Sequence, residues 1–244
     1  MAHPEPISAM TPDGAHQRTQ PLLISVDDVG QFVAVMSRSL ILGHCSDGQA
    51  DLPFLADVGA RHGQLTRRDS LRDGTVWSLA PLGEERISIN GERLMEGRGL
   101  ISGDLIRLSD NLALDFSSPD PASQSALLSL GRAQECLGAQ RIVLMAEGEG
   151  GRLRIGSGAQ RLIRVPNLEQ QLSIEWYAER LSIRCSEPLL SWAGGQNQSQ
   201  VDLSLPMREQ HQLCLGQSRA GRPPFGLGIG PPSAKDLARG GRPG

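Results

Sequence analysis

Hydrophobic residues recur along the chain in short runs of about four to six residues, separated by Gly, Pro, Asn and Asp. Residues 172–176 and 181–185 alternate between apolar and polar side chains, as half-buried antiparallel strands do. Short runs that are closed by turn residues favour strands over helices. The pattern therefore predicts an all-β protein.

The predicted strands are spread over both halves of the chain. In the first half they are residues 22–26, 31–35, 39–42, 63–67, 75–79, 86–89, 105–108 and 112–116. In the second half they are residues 141–145, 153–155, 162–165, 172–176, 181–185, 201–205, 212–215 and 225–229. The pattern predicts one helix, residues 123–136, with Ser123 as its N-cap. An edge strand is the alternative, because Gly131 interrupts the run.

Composition divides the chain into five segments. Residues 1–20 are polar and contain Pro, and residues 231–244 are rich in Pro and Gly, so both are predicted to be disordered. Residues 21–117 are predicted to form a first domain and residues 140–230 a second β-rich domain, with residues 118–139 connecting them.

A weak internal echo joins the two halves. Leu40-Ile41-Leu42-Gly43 resembles Leu153-Arg154-Ile155-Gly156, and the strand pair at 67–79 resembles residues 172–185. An internal duplication explains this echo, and so does chance similarity between β-rich sequences.

Charge and cysteine content narrow the function. The net charge of −3 and the pI near 6.0 provide no basic field for nucleic acid or an anionic membrane. There is no secretory signal and no apolar run of about 18 residues, so a cytoplasmic protein is the expectation. None of the four cysteines lies in a CxxC pair, and no His, Cys or acidic residues cluster at metal-ligand spacing. We therefore expect neither a metal nor a cofactor, and no catalytic residue is assigned.

Four motifs in the first half of the chain occur in an order that can be compared with known domain families. They are Gly43-His44, then Val58-Gly59-Ala60-Arg61-His62-Gly63-Gln64-Leu65, then Ile89-Asn90-Gly91-Glu92-Arg93-Leu94, and finally Leu100-Ile101-Ser102-Gly103-Asp104-Leu105. This order resembles the forkhead-associated (FHA) domain family over about 95 residues. The resemblance implies an FHA-like antiparallel β-sandwich, followed by a second sandwich that is either a degenerate copy or unrelated.

The resemblance also implies a site for a phosphothreonine peptide, built from loops at one end of the sandwich. An Arg, a Ser and a second Arg would hold the phosphate, and this chain has His44, Gly59 and Ala60 at those places. Charged hydrogen bonds contribute roughly 1.5–3 kcal/mol each, so their loss predicts impaired phosphothreonine binding. Arg61 follows one position late, as a surface charge or a displaced phosphate contact.

The remaining family positions are kept, each with a structural alternative. The resemblance implies that Asn90 clamps the peptide backbone, while Asn-Gly is also the sequence of a tight turn. His62 is expected to brace backbone groups, and Gly43 and Gly91 to serve the fold. The loops around His44, Gly59 and Asn90 are predicted to converge at one end of the first sandwich.

Three function classes remain open. The first is a non-enzymatic interaction module that recognises a protein or peptide carrying an acidic or phosphorylated element. The second is a purely structural protein that serves assembly. The third is a carbohydrate-binding sandwich, for which few stacking side chains exist; they are Trp77, Trp176, Trp192 and Tyr177.

Overall fold

A computed structural model provides the structure of the chain. It describes residues 21–46, 48–67, 77–120, 123–146, 151–166, 168, 171–177, 180–193, 196–215 and 225–232. Within these ranges, only the backbone is described for residues 187–193, 196–202, 212, 214, 215 and 225. Residues 1–20 and all but the first two residues of the predicted tail lie outside the described residues.

The fold is all-β, as the alternating pattern predicts. The strands of the first half are β1 Leu22–Val26, β2 Gly30–Met36, β3 Ser39–His44, β4 Leu52–Phe54, β5 Gly63–Arg67, β6 Trp77–Pro81, β7 Ile87–Ile89, β8 Glu92–Leu94, β9 Arg98–Gly99, β10 Leu105–Ser109 and β11 Leu112–Ser117. Those of the second half are β12 Ala126–Leu130, β13 Arg141–Met145, β14 Leu153–Gly156, β15 Ile163–Arg164, β16 Leu172–Tyr177, β17 Arg180–Ala193, β18 Gln196–Pro206, β19 His211–Leu215 and β20 Phe225–Gly230. Within the described part of the chain, no helix has the length and apolar character needed to cross a membrane.

The strands form two sheets. The smaller sheet has the order β4-β3-β5-β6-β9. The larger sheet has the order β15-β14-β16-β17-β19-β20-β1-β2-β13-β12-β11-β10-β7-β8, with β18 beside β17. Most pairs are antiparallel, but β3–β4, β14–β15 and β2–β13 are parallel. Both sheets are therefore mixed, which the prediction of antiparallel strands did not include.

Two hydrophobic cores lie on opposite faces of the central strands β2 and β13. The first core lies between the small sheet and strands β7, β10, β11 and β12, and the second lies between β1 and strands β14, β16, β17, β19 and β20. Alternate residues of β2 and β13 enter different cores: Val33, Val35, Ile142 and Leu144 enter the first, and Phe32, Ala34, Val143 and Met145 the second. Residues 32–36 of β2 and 142–145 of β13 are buried on both faces, which explains why these two runs are apolar without a gap.

The two halves repeat one strand order. In the first half β3 pairs in parallel with β4 and antiparallel with β5, and β5 pairs with β6. In the second half β14 pairs in parallel with β15 and antiparallel with β16, and β16 pairs with β17. Hairpins β1–β2 and β10–β11 of the first half correspond to hairpins β12–β13 and β19–β20 of the second.

The connecting segment differs from its prediction. Residues 126–130 form β12, which lies inside the larger sheet between β11 and β13. The helix predicted at residues 123–136 is therefore wrong. The alternative, an edge strand, is right that a strand forms but wrong about its place, because β12 has a neighbouring strand on each side. The alternation of buried Ala126, Leu128 and Leu130 with half-buried residues is the period of a strand, and burial on the first core outweighs the capping signal of Ser123.

Candidate functional site

Three loops meet where β3 and β6 end and β5 begins. We call residues 43–46, 55–62 and 82–86 the His44 loop end. The backbone N–H of His44 donates to the Gly59 carbonyl at 2.9 Å, and the N–H of Leu82 donates to the His62 carbonyl at 3.1 Å. Because β5 runs antiparallel to both β3 and β6, these three chain segments reach the same edge of the small sheet.

Gly43 permits the closest approach within this loop end. A Cβ on Gly43 would lie 2.1 Å from the carbonyl oxygen of Ala60, a backbone atom that cannot turn aside. Any side chain at this position would push the 59–60 segment away from β3. Gly43 is thus required by packing between β3 and the loop.

The side chain of His62 connects two of the loops. Its side chain is buried, with Nδ1 3.1 Å from the Gly59 backbone nitrogen and Nε2 3.3 Å from the Arg86 carbonyl oxygen. Both ring nitrogens therefore face the backbone of a loop, Nδ1 towards the Gly59 N–H and Nε2 towards the Arg86 carbonyl. This geometry ties loop 55–62 to loop 82–86, and no nucleophile is placed beside the ring by these contacts.

Glu85 introduces a negative charge at this end. Its Oε2 lies 3.1 Å from Nδ1 of His62, and its Oε1 would lie 2.0 Å from a Cβ built on Gly59. The carboxylate therefore occupies the space into which a side chain at position 59 would project. A phosphate placed there would meet a like charge rather than a hydroxyl donor.

The remaining predicted residues of this end point to solvent to different degrees. Arg61 is exposed and makes no hydrogen bond or ion pair with the described residues, while Ala60 is half-buried. The ring of His44 is half-buried and lies 2.8 Å from the Ser46 hydroxyl. Leu55 is 53% exposed, which adds an apolar side chain to the same loop end.

Asn90 does not belong to the His44 loop end. It follows β7, whereas His62 contacts residues 85 and 86 that precede β7. With a rise of about 3.3 Å per residue, Asn90 lies roughly 13 Å along the strand from Arg86. The prediction that the loops of His44, Gly59 and Asn90 converge is therefore wrong for Asn90, because one strand carries Asn90 to the other end of the sheet.

Asn90 and Gly91 form the two-residue turn between β7 and β8. Their φ angles are 56° and 87°, and Ile89 pairs with Glu92 across the turn. Positive φ at both central residues is the hairpin geometry that Asn-Gly favours. The structural alternative stated for this pair matches the observed geometry.

The side chain of Asn90 is also engaged inside the molecule. Its amide nitrogen donates to Oδ1 of Asp104 at 2.7 Å, and its amide oxygen accepts from the Leu105 N–H at 2.9 Å. Asp104 is buried, and it also accepts from Arg98 and from the Ile101 N–H. These bonds neutralise the buried carboxylate and hold the β7–β8 and β9–β10 connections together.

Sequence reasoning missed Glu85, the residue that most changes this site. Glu84-Glu85 carries no motif, and an acidic pair in a turn is usually solvated. The shortness of the loop between β6 and β7 is the signal that could have indicated it, because such a loop has to pass over the start of β5. Only the folded loop shows which glutamate faces Gly59.

A second polar cluster lies on β16, β17 and the residue before β14. Burial alone raises the pKa of Glu175, but hydrogen bonds from Arg152 and Tyr177 together with the charge of Arg184 bring that pKa below its usual value. The Arg152 Nε lies 2.5 Å from Oε1 of Glu175, and the Tyr177 hydroxyl donates to Oε2 at 2.9 Å. The side chain of Glu175 is 1% exposed, so this carboxylate serves the fold.

The aromatic residues offer little surface for stacking a sugar. Trp77 is buried and donates its indole N–H to the Gln124 carbonyl at 2.9 Å. Trp176 packs against the second core, and the side chain of Trp192 lies outside the described residues. Tyr177 is 39% exposed, but its hydroxyl is bound to Glu175.

Comparison with known proteins gives no family. No protein-family model matches the chain, and no curated protein sequence matches it. The crystal structure of the Slr1951 protein from Synechocystis sp. is similar at 18% identity over 41% of this chain and 97% of that chain, with a TM-score of 0.29. A likeness at that TM-score supports no conclusion about fold or function.

Proposed function

We propose that this chain is a non-enzymatic, cytoplasmic interaction module with an FHA-like first half, and that the His44 loop end binds an extended protein segment without requiring phosphate. The observation that carries the proposal is the braced backbone at residues 59–62. The His44 N–H donates to the Gly59 carbonyl, the Gly59 N–H donates to the His62 ring, and the absence of a side chain at Gly43 lets residues 59–60 lie close against β3. Binding to a preorganised loop avoids the entropy of ordering it.

The side chains of this loop end support recognition of protein rather than of phosphate. Arg61 and Arg86 are exposed cations, and Leu55 is an exposed apolar residue. Glu84, which directly precedes Glu85, is an exposed anion. Such a mixed surface is typical of an interface rim around an apolar contact. Arg61 and Arg86 can each pair with an acidic side chain of a bound segment, while the carboxylate beside Gly59 disfavours a doubly charged phosphate.

The test is calorimetric titration of the intact chain with a peptide library made in three forms: unmodified, phosphothreonine and threonine-to-aspartate. We expect unmodified or aspartate peptides to bind at least as well as their phosphothreonine forms. The variant Arg61→Ala should weaken binding by about tenfold, while Arg93→Ala, an exposed arginine on β8, should leave binding unchanged.

Two outcomes would contradict the proposal. Binding that needs phosphothreonine would mean that the lost donors are replaced elsewhere. No binding of any peptide form would favour the assembly class, in which the fold serves packing alone.

A further inference from the structure

We propose that the chain is a repeat of one sandwich unit whose two copies have exchanged their first hairpins. Each copy would then be completed by a hairpin from the other, so that the two halves are obligate partners. This inference rests on strand pairing and is independent of what the His44 loop end binds.

The repeat extends to every strand of the first half. The beginning of β17 corresponds to β6, and its end pairs with β19 as β7 pairs with β10. The end of β18 lies beside the beginning of β17, as β9 lies beside β6. The tip of hairpin β17–β18, where Ala193 pairs with Gln196, corresponds to the β7–β8 turn. Eleven strands of the first half thus match nine in the second, because β17 and β18 each cover two.

Register supports the same correspondence residue by residue. In the first half Leu42 pairs with Leu52 and Gly63, and in the second half Ile155 pairs with Ile163 and Leu172. Leu42-Gly43 and Ile155-Gly156 are the ends of the sequence echo between the halves. The echo therefore coincides with equivalent strands, β3 and β14.

The exchange appears in the last strand of each copy. Strand β11 closes the first copy, but it pairs with β12 of the second: Leu114 faces Leu130 and Phe116 faces Leu128. Strand β20 closes the second copy, but it pairs with β1 of the first.

There Leu227 faces Val26 and Ile229 faces Ile24. The pairings are equivalent, because Val26 and Ile24 hold the places in β1 that Leu130 and Leu128 hold in β12. Without an exchange, β1 would lie beside β11 and β12 beside β20. Each hairpin has instead moved to the other copy.

The two exchanged hairpins meet at the centre of the molecule. Strands β2 and β13 run parallel to each other, with Val33 facing Ile142 and Val35 facing Leu144. Equivalent strands lie side by side and parallel when a pseudo-twofold axis between two copies runs along the strand direction. The exchange thus converts a tandem pair into one closed unit with a common central sheet.

Cysteine pairs can distinguish the exchanged arrangement from the tandem one. Ser25 faces Gly228 in the structure, and the equivalent facing pair in the other copy is Ser129 with Asp115. In the full chain carrying Cys45→Ser, the pair Ser25→Cys with Gly228→Cys should form a disulfide on mild oxidation. The matched pair Ser25→Cys with Asp115→Cys should not, because those positions face each other only if the hairpins are not exchanged.

A cut between the halves provides the second measurement. A protease site inserted at the 121–122 bond, between β11 and β12, severs the chain without touching any strand. We expect the cut protein to elute as a 1:1 complex of both fragments at the position of the intact chain, and to separate only in denaturant. Disulfide formation by the Ser25/Asp115 pair would overturn the proposal. If neither pair oxidises, the cut decides, and two fragments that separate as folded monomers would overturn it as well.

Discussion

At the scale of single residues, the turn after β7 bears on whether Asn90 stabilises the fold or binds a peptide. Asn90 combines a φ of 56° with two side-chain hydrogen bonds, one of them to the buried Asp104. Removing the amide would leave that carboxylate with fewer donors in a buried position. The residue that resembles a peptide clamp in sequence is therefore committed to the fold.

We predict that Asn90→Ala lowers the free energy of unfolding by about 2–3 kcal/mol, since it removes a charged hydrogen bond and leaves at positive φ a side chain that cannot form local hydrogen bonds. Asn90→Gly is the control, because Gly tolerates the same φ. If chemical denaturation shows Asn90→Gly to be as stable as the natural chain, the hydrogen bonds contribute no more than the strain at positive φ that Gly relieves. Peptide binding should be unchanged in both variants.

Glu175 gives a prediction for the pH dependence of stability. Its pKa is lowered in the folded chain, because Arg152, Tyr177 and Arg184 outweigh the opposing effect of burial. A carboxyl with a depressed folded pKa stabilises the fold above its unfolded pKa, near 4.3, and this contribution disappears as the pH falls through the folded value.

Glu175→Gln should therefore lower the free energy of unfolding by about 1–2 kcal/mol at pH 7. The gap between the two proteins should narrow steadily below about pH 4.3. Urea denaturation at several pH values measures this gap. A gap that is the same at pH 7 and pH 3 would show that the charge of Glu175 has no part in stability.

At the scale of elements, the local sequence pattern predicts where the strands lie but not which strands pair with each other. The apolar alternation at residues 172–176 and 181–185 predicts β16 and the beginning of β17, and the Asp-Gly turn at 27–30 predicts hairpin β1–β2. The pairing of β1 with β20 joins residues about 200 positions apart, and no local signal encodes it. The pairing of strands that are distant in sequence depends on the whole fold, so the sequence does not predict the order of strands in the sheet.

The candidate site divides in the same way. Motif order correctly brought His44 and Gly59 together, because they flank adjacent strands of one small sheet. It misplaced Asn90, because nothing local tells at which end of β7 a turn will lie. It could not reveal Glu85, since the direction of one loop side chain depends on how β6 connects to β7.

Arg141 allows a test of how the two central hairpins are held together. Its guanidinium lies 4.4 Å above the ring of Phe32 and donates to the Val29 carbonyl, so it joins β13 to hairpin β1–β2. We expect Arg141→Ala to lower the free energy of unfolding by about 2 kcal/mol, from the lost cation–π contact and the lost hydrogen bond. Arg93→Ala on the exposed strand β8 should cost less than about 0.5 kcal/mol in the same denaturation experiment. Equal effects of the two changes would contradict this role.

At the scale of the whole molecule, the shared central strands predict cooperative unfolding. Core residues of β2 and β13 face both cores, so neither core can open without exposing the back of the other. Leu65 lies in the first core and Ile183 in the second, and both are fully buried. Each truncation to Ala should cost about 2–5 kcal/mol.

Calorimetry should show one transition whose calorimetric and van't Hoff enthalpies agree, and either Leu65→Ala or Ile183→Ala should lower its midpoint as a whole. Two separate transitions, each moved by only one of the substitutions, would show that the halves unfold independently.

The proposed function requires the His44 loop end to bind peptide at a surface where His44, Gly59 and Ala60 lack phosphate donors and where the fourth position, Glu85, adds a negative charge. The most direct test restores those positions by His44→Arg, Gly59→Ser, Ala60→Arg and Glu85→Ala, and titrates a phosphothreonine peptide and its unphosphorylated twin by calorimetry. The variant without the Glu85 change is the matched control, because the carboxylate still occupies the space that a Ser at position 59 needs.

We predict that the fourfold variant prefers the phosphorylated peptide by at least about tenfold, equal to about 1.4 kcal/mol, and that the threefold variant shows little preference. Circular dichroism establishes that each variant is folded. A folded fourfold variant that binds both peptides equally would contradict the claim that these four positions decide phosphate recognition. A folded fourfold variant that binds neither would contradict the claim that this loop end is a peptide-binding surface.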